Sequence, residues 1–438
     1  MKEVLRHIKA QNFDLALLRL WGMADGPTLN GWENSERTRH HLTSDTSMFS
    51  SLLSGEHQIT VELLERSPLA FIRALDNFMA TTRTAQQPFS APYTEEGKDY
   101  WILPVDLQGR GNASLTRQRG SRAHWFKRHA IVPTKTLQGN FNVSVSVARM
   151  DLAQKFLTMA KEEALVINFW IGHFDDSCCV AWDPALAPEG RFRAVSLQDN
   201  ATREKSIVAT LNAARDSHAH IVVLPEMSVD LAHRPKIEAY LLGMTDPDLC
   251  LVLAGSFHEP DGTKCYNTAP LLDATTGDVI LKPSKLRAFG ITGDPEKNVP
   301  EQSEHIDVGD TVEVLVTAIG NMTVLICKDF LDADQSVAAL LQEVPVDWVL
   351  VPSYGDEKTF DGHMKKAKQV SLVTSGANVV VANIRNINTS QGACLPGFAW
   401  PSGQKQDPVP VSASGGLAGV KMGEMLPRGP GPALKRVK

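Results

Sequence analysis

The chain has 438 residues, enough for two or three domains, each with a core of its own. Its apolar content is that of a globular protein, and its formal charge of -6 is too small for its length to point to any particular partner. No run approaches the roughly 20 apolar residues of a membrane helix, and Glu3, Arg6, Lys9, Asp14 and Arg19 break up the start too often for a secretory signal, so a cytoplasmic protein with no membrane partner is expected.

The six cysteines are Cys178, Cys179, Cys250, Cys265, Cys327 and Cys394. None forms a Cys-x-x-Cys pair and none has zinc spacing to a histidine, so free thiols and no metal site are expected. A thiol in this setting is by default a small buried hydrophobe.

In chain order, residues 1–90 read as a helical N-terminal region. Residues 4–20 and 61–79 carry apolar side chains at helical spacing, Ser67-Pro68 suits a helix entry, and 30–47 reads as loop. Residues 91–190 read as a mixed α/β region. Within it 100–105 and 141–148 are extended, and 164–174 is a buried strand. Between the first two lies a basic stretch, Arg110, Arg117, Arg119, Arg122, Lys127 and Arg128, with Trp125 and Phe126 interleaved. That mixture can hold a nucleic-acid backbone and stack on bases. A solvated loop or a face packed on the neighbouring domain accounts for it more simply.

From residue 191 to 405 apolar strands alternate with helices, the pattern of a layered α/β domain. Strands are predicted at 193–197, 220–224, 251–257, 312–318, 323–326, 346–352 and 379–383. Helices are predicted at 205–216, 236–242, 336–343 and 365–375, and a hairpin turn at 319–322. Residues 406–438 form a Pro/Gly-rich tail with a basic end, expected to be extended.

Three segments carry chemistry. In Ile221-Val222-Val223-Leu224-Pro225-Glu226 an apolar strand delivers a carboxylate at its C-terminal end, where ligand groups collect in open α/β sheets. Alone, Glu226 fits a loop salt bridge equally well. In Gly277 to Leu286 a turn glycine precedes a short strand and two lysines three apart, Lys282 and Lys285. Alone, these fit two solvated surface lysines. In Thr323-Val324-Leu325-Ile326-Cys327-Lys328-Asp329 an apolar strand ends abruptly on a cysteine. Asp332 or Asp334 can cap the following helix. A nucleophile at such an elbow has backbone N–H groups nearby to hold an oxyanion. A buried strand-end thiol is the plainer reading.

Together and in this order, strand-Pro-Glu, Lys-x-x-Lys-Leu and apolar strand-Cys-x-Asp resemble the nitrilase superfamily of carbon–nitrogen hydrolases, over about residues 190–405. The resemblance implies a four-layer α-β-β-α sandwich that forms homo-oligomers and needs no cofactor. It implies a Glu226–Lys285–Cys327 triad with Cys327 as nucleophile, Glu226 as general base and Lys285, rather than Lys282, holding the oxyanion with the backbone N–H of Lys328. Glu301 and Glu304 both fit a second glutamate that positions substrate. The expected reaction is cleavage of a small-molecule amide, or a nitrile, through a cysteine thioester. The alternative is a hydrolase-fold effector or binding module of a multi-component system, for instance in bacterial defence, whose N-terminal region binds nucleic acid or a protein.

Overall fold

In this computed structural model the described residues are 1–24, 27–28, 31–32, 59–82, 92–95, 97–104, 129–137, 139–159, 166–172, 174, 180–244, 248–291, 293, 301–331, 336–344, 346–371, 377–384, 397–401, 408–410 and 416–421. The basic stretch at 110–128, Cys178, Cys179, Cys394, Asp332 and Asp334 lie outside them. No helix among the described residues is long and apolar enough to cross a membrane.

Each helical segment expected near the start is a pair of helices. Residues 4–20 fall into Lys2–Lys9 and Phe13–Met23, parted where Gln11 takes φ 58°. Residues 61–79 fall into Val61–Arg66 and Pro68–Thr82, parted at Ser67. The Thr60 side chain caps the first by accepting from the Leu63 N–H. Pro68 opens the second, where a missing N–H costs nothing.

These helices pack on an antiparallel three-stranded sheet, Tyr93–Glu95, Lys98–Pro104 and His129–Pro133. Side chains alternate across a strand, and here both faces are covered. Ile102 and Ile131 pack on Leu17, Phe71 and Leu75 of the helices. Leu103, Ala130 and Val132 join the core of a larger sheet. The Trp101 Nε1–H donates to the carbonyl of Val143 in that larger sheet at 3.1 Å.

Two large sheets make the rest of the molecule a mixed α/β structure. One has six strands, in the order Val279–Leu281, Leu271–Asp273, Leu251–Leu253, Ile221–Val223, Val166–Ile171 and Gly416–Lys421. The other has seven, in the order Val409–Pro410, Gly397–Trp400, Asn378–Asn383, Trp348–Ser353, Gly320–Val324, Thr311–Thr317 and Asn142–Val147. The central strands of each pair in parallel and are buried on both faces, which is why they read as unbroken apolar runs.

Alternation sorts the side chains. Ile221, Val223, Trp348 and Leu350 point into a core shared by the two sheets. Val222 and Val252 point outward onto Ile207, Leu211 and Leu241 of helices Asn200–Asp216 and Arg234–Leu242. Val349 and Val351 point outward onto Leu340, Phe360 and Ala367 of helices Ser336–Glu343 and Glu357–Gln369.

The sheets extend past the expected limits of 191 and 405 at both ends. Asn142–Val147 pairs in parallel with Thr311–Thr317, Val166–Ile171 pairs with Ile221–Val223, and Gly416–Lys421 pairs with Val166–Ile171. Asn142–Val147 and Gly416–Lys421 form sheet edges and Val166–Ile171 lies one strand inside, a long-range placement with no mark in local composition. The hairpin turn also moves. Thr317 pairs with Gly320, so the turn is Ala318-Ile319, and Gly320 takes φ 116° where a Cβ would lie 2.7 Å from Asp347.

Candidate active site

The strand Ile221–Val223 runs into Leu224-Pro225 and presents Glu226, which is 2% exposed. The following residue, Met227, is held at φ 57°, and its N–H donates to the Ser256 carbonyl at 2.7 Å. This close approach of two strand ends requires a glycine. Gly255 has φ 66°, and a Cβ there would sit 2.3 Å from the Pro225 carbonyl oxygen.

Lys285 follows the strand Val279–Leu281. Its N–H donates to the Asn267 carbonyl at 2.8 Å, and its side chain is 2% exposed. Lys282 goes elsewhere, to Glu259 at 2.6 Å on a half-exposed surface.

Cys327 ends the run from Gly320–Val324 and precedes the short helix Lys328–Leu331. It is a non-glycine residue at φ 43°, the kind of backbone strain that persists only where surrounding contacts impose it. The contacts here are specific. The Cys327 N–H donates to the Pro352 carbonyl at 2.9 Å. Both oxygens of buried Asp329 accept backbone N–H groups, Ile326 at 3.1 Å and Leu286 at 3.0 Å, which ties the elbow to the lysine segment.

The structure brings Glu226, Lys285 and Cys327 onto the wall of one cavity of about 570 Å³, and Glu304 joins them. Of the two glutamates weighed from sequence, Glu301 is exposed and Glu304 is buried. The Lys285 ammonium donates to Glu226 Oε1 at 2.9 Å and to Glu304 Oε2 at 2.8 Å. The Asn267 amide donates to Glu226 Oε1 at 2.8 Å and to Glu304 Oε1 at 3.0 Å. Backbone N–H groups complete both carboxylates, Tyr354 on Glu226 Oε2 at 3.0 Å and Phe289 on Glu304 Oε2 at 2.8 Å. His258 Nδ1 accepts the Ala194 N–H at 2.7 Å, so its Nε2 carries the proton and donates to Glu304 Oε1 at 2.8 Å.

A second group lies behind the thiol. The Ser353 hydroxyl reaches Cys327 Sγ at 3.5 Å and is 2.9 Å from His363 Nε2. With the hydroxyl proton on sulfur, His363 Nε2–H donates to Ser353, and its Nδ1 is left buried with no partner. The ring stacks on Phe330, 5.9 Å between centroids.

Sequence reasoning missed His258, Asn267, Ser353, Tyr354 and His363, each one polar residue within or beside an apolar element, with nothing local to separate it from a surface residue. Asp329 is visible in the sequence as the last residue of Cys-x-Asp, but its backbone partners are not.

Burial sets the titration of the site, and charge pairing corrects it. Burial pushes the Cys327 thiol up to about 12, the Glu226 carboxylate adds to this, and the Lys285 ammonium opposes it. At rest Cys327 is therefore a thiol. Burial alone would raise Glu304, but Lys285 and the His258 N–H overcome it and hold it down at about 2. Burial alone would lower Lys285, but Glu226 and Glu304 raise it above the ordinary lysine range. Burial holds His363 neutral, down at about 3. Among the described residues, no three His, Cys, Asp or Glu side chains are grouped to hold a metal ion.

No family model and no curated protein matches the chain. Among solved structures it is similar to an amidase from Nesterenkonia sp., with 17% identity, 59% of this chain and 90% of that chain covered, and a TM-score of 0.40. It is similar to Saccharomyces cerevisiae Nit3, a member of branch 10 of the nitrilase superfamily, with 16% identity, 59% and 90% covered, and a TM-score of 0.42. It is similar to the C. elegans NitFhit protein, with 15% identity, 59% and 60% covered, and a TM-score of 0.44.

Proposed function

We propose that the chain is a carbon–nitrogen hydrolase of the nitrilase superfamily type, cleaving an amide through a thioester on Cys327. The observation that carries this is the buried carboxylate–ammonium–carboxylate group beside a strained cysteine in one cavity. The helix–sheet–sheet–helix order of the packing supports a four-layer α-β-β-α sandwich preceded by a mainly helical N-terminal region.

In the proposed reaction Cys327 Sγ attacks the amide carbonyl and its proton passes to Glu226. The developing oxyanion takes the third N–H of Lys285, whose other two are committed to the glutamates, and the backbone N–H of Lys328. The C–N bond breaks as Glu226 returns the proton to the leaving nitrogen. Water then attacks the thioester and gives its proton to Glu226. The C–S bond breaks, and the thiol is restored by that proton. Glu304 positions Lys285 and, through the Phe289 N–H, one side of the cavity. Nitrile hydrolysis and transfer of the acyl group to an amine use the same residues.

The test is intact-mass trapping with a panel of amides and nitriles. Wild type gains the acyl mass and Cys327→Ala does not. An adduct that persists in Cys327→Ala, or that maps to another cysteine, sinks the proposal. The alternative of an inactive binding module is opposed by the complete set of Glu226, Lys285, Glu304 and Cys327.

A further inference from the structure

The cavity is larger than the reaction needs, and its wall is aromatic. At about 570 Å³ it falls in the range that encloses a drug-sized ligand. A short aliphatic amide would leave most of it empty. Four rings form a continuous arc along it. Tyr354 lies 6.4 Å from Trp182 between centroids, Trp182 lies 5.5 Å from Phe192, and Phe192 lies 6.3 Å from Phe289. Successive rings meet edge to face.

The ends of the arc are fixed at the reacting groups. The Tyr354 N–H holds Glu226, and the Phe289 N–H holds Glu304. The arc therefore runs along the cavity wall from the residue beside one carboxylate to the residue beside the other. Trp182, between Tyr354 and Phe192 in the arc, is 39% exposed. A large indole left this open beside a cavity is unused apolar surface.

The charges that line the cavity are already engaged. Asp183 is bound to Arg193 at 2.5 Å, and Asp356 caps the helix Glu357–Gln369. Arg191 lies 3.3 Å from Glu189, and Lys285 is held by its two glutamates. Among the described residues each lining cation already has a carboxylate, so an anionic substituent would have to share Arg191 with Glu189 or crowd the two glutamates on Lys285.

We propose that the cavity takes amides carrying an uncharged, planar aromatic group, which the Tyr354–Trp182–Phe192–Phe289 arc grips while the amide carbonyl faces Cys327. This rests on the hydrolase reading for the reaction, but the binding can be measured without it. Offset or edge-to-face ring contacts favour a planar aryl group over an equally apolar saturated ring. The preference is about tenfold for one good ring pair.

The experiment compares phenylacetamide with cyclohexylacetamide, and N-benzylacetamide with N-(cyclohexylmethyl)acetamide. Affinities are measured by calorimetry on Cys327→Ala, and rates on wild type. In at least one pair the aryl member binds Cys327→Ala about tenfold more tightly. Trp182→Leu, made in the Cys327→Ala background, keeps an apolar side chain and brings that ratio close to one. If Trp182→Leu does not fold, Phe192→Leu is read in its place. Adding a para-carboxylate to the favoured aryl amide removes the gain. Equal affinity for aryl and cyclohexyl members, or a ratio indifferent to both ring replacements, overturns the inference. Aryl-selective binding with no acylation of Cys327 in wild type leaves the inference standing and overturns the hydrolase reading.

Discussion

Two buried sets of ionisable side chains invite comparison. In the N-terminal part His129 Nδ1 meets Asp76 Oδ1 at 2.9 Å, with both side chains at most 3% exposed. At the cavity Lys285 meets Glu226 and Glu304, equally buried. The first set puts one carboxylate against one imidazole between the helices and the small sheet. The second puts two carboxylates on one ammonium. N–H donors from Asn267, Tyr354, Phe289 and His258 also reach those carboxylates, beside open space and a strained thiol. A structural pair gains nothing from surplus charge in a dry interior. Burial and pairing alone thus do not mark a reacting site. What sets the proposed site apart is surplus carboxylate, a strained cysteine and a cavity in one place.

The same chemical change made in both places tests this most severely. Glu226→Gln keeps the shape and an acceptor oxygen but cannot take a proton, so kcat is expected to fall by about 10³. Asp76→Asn is expected to leave kcat of the folded protein within a factor of about two, since general-base loss does not apply there. Steady-state rates on any amide that acylates Cys327 decide it. A Glu226→Gln protein with more than a tenth of wild-type kcat breaks the distinction.

Stability should separate the two sets next. Lys285→Met buries two carboxylates with no cation and is expected to cost about 3–5 kcal/mol. Asp76→Ala leaves one buried imidazole short of a partner and is expected to cost about 1–3 kcal/mol. Urea unfolding of the two variants gives both values. Equal losses would mean that the surplus charge at the cavity is not being held as described.

The contrast also explains what the sequence reveals. Parallel strands buried on both faces are continuous apolar runs, so Ile221–Val223, Trp348–Ser353 and Asn378–Asn383 stand out, and the residues at their ends stand out with them. Glu226 and Cys327 are legible for that reason, and Lys285 through its spacing. Glu304 is harder, because its strand Gln302–Glu304 is three polar residues long and only its partners show it to be buried. Asn142–Val147, Val166–Ile171 and Gly416–Lys421 look like parts of other segments, because strand pairing is decided by chain far away. His129 and Asp76 lie 53 positions apart and meet only once the helices and small sheet have packed.

The two histidine environments give a smaller test, in acid. His129 has a carboxylate beside it, whereas His363 has Ser353, the Phe330 ring and an empty-handed Nδ1. His363 stays neutral in the folded protein down to about pH 3 but takes a proton near 6.5 once unfolded. The unfolded state therefore binds more protons between those values, and the stability is fully present above about 6.5 and is lost as pH falls. At pH 5 the loss from this group is about 2 kcal/mol. Urea midpoints from pH 7.5 to 5 should fall more steeply for wild type than for His363→Gln. Parallel lines would mean that His363 is protonated in the folded state.

The smallest effect separates two thiols. Burial raises both Cys265 and Cys327, but only Cys327 has the Ser353 hydroxyl on its sulfur. That O–H favours the thiolate, and His363 Nε2 keeps it aimed by donating to the serine oxygen. Ser353→Ala removes the donor, and a single hydrogen bond of about 1 kcal/mol corresponds to a roughly fivefold smaller thiolate fraction at any pH below the thiol's own. Iodoacetamide alkylation of Cys327, followed by peptide mass from pH 7 to 10, should slow by about that factor and shift to higher pH, with Cys265 as the internal reference. A variant that merely loosened packing would speed both cysteines. Slowing confined to Cys327, at an unchanged Cys265 rate, is the outcome that only a hydrogen bond to the sulfur produces.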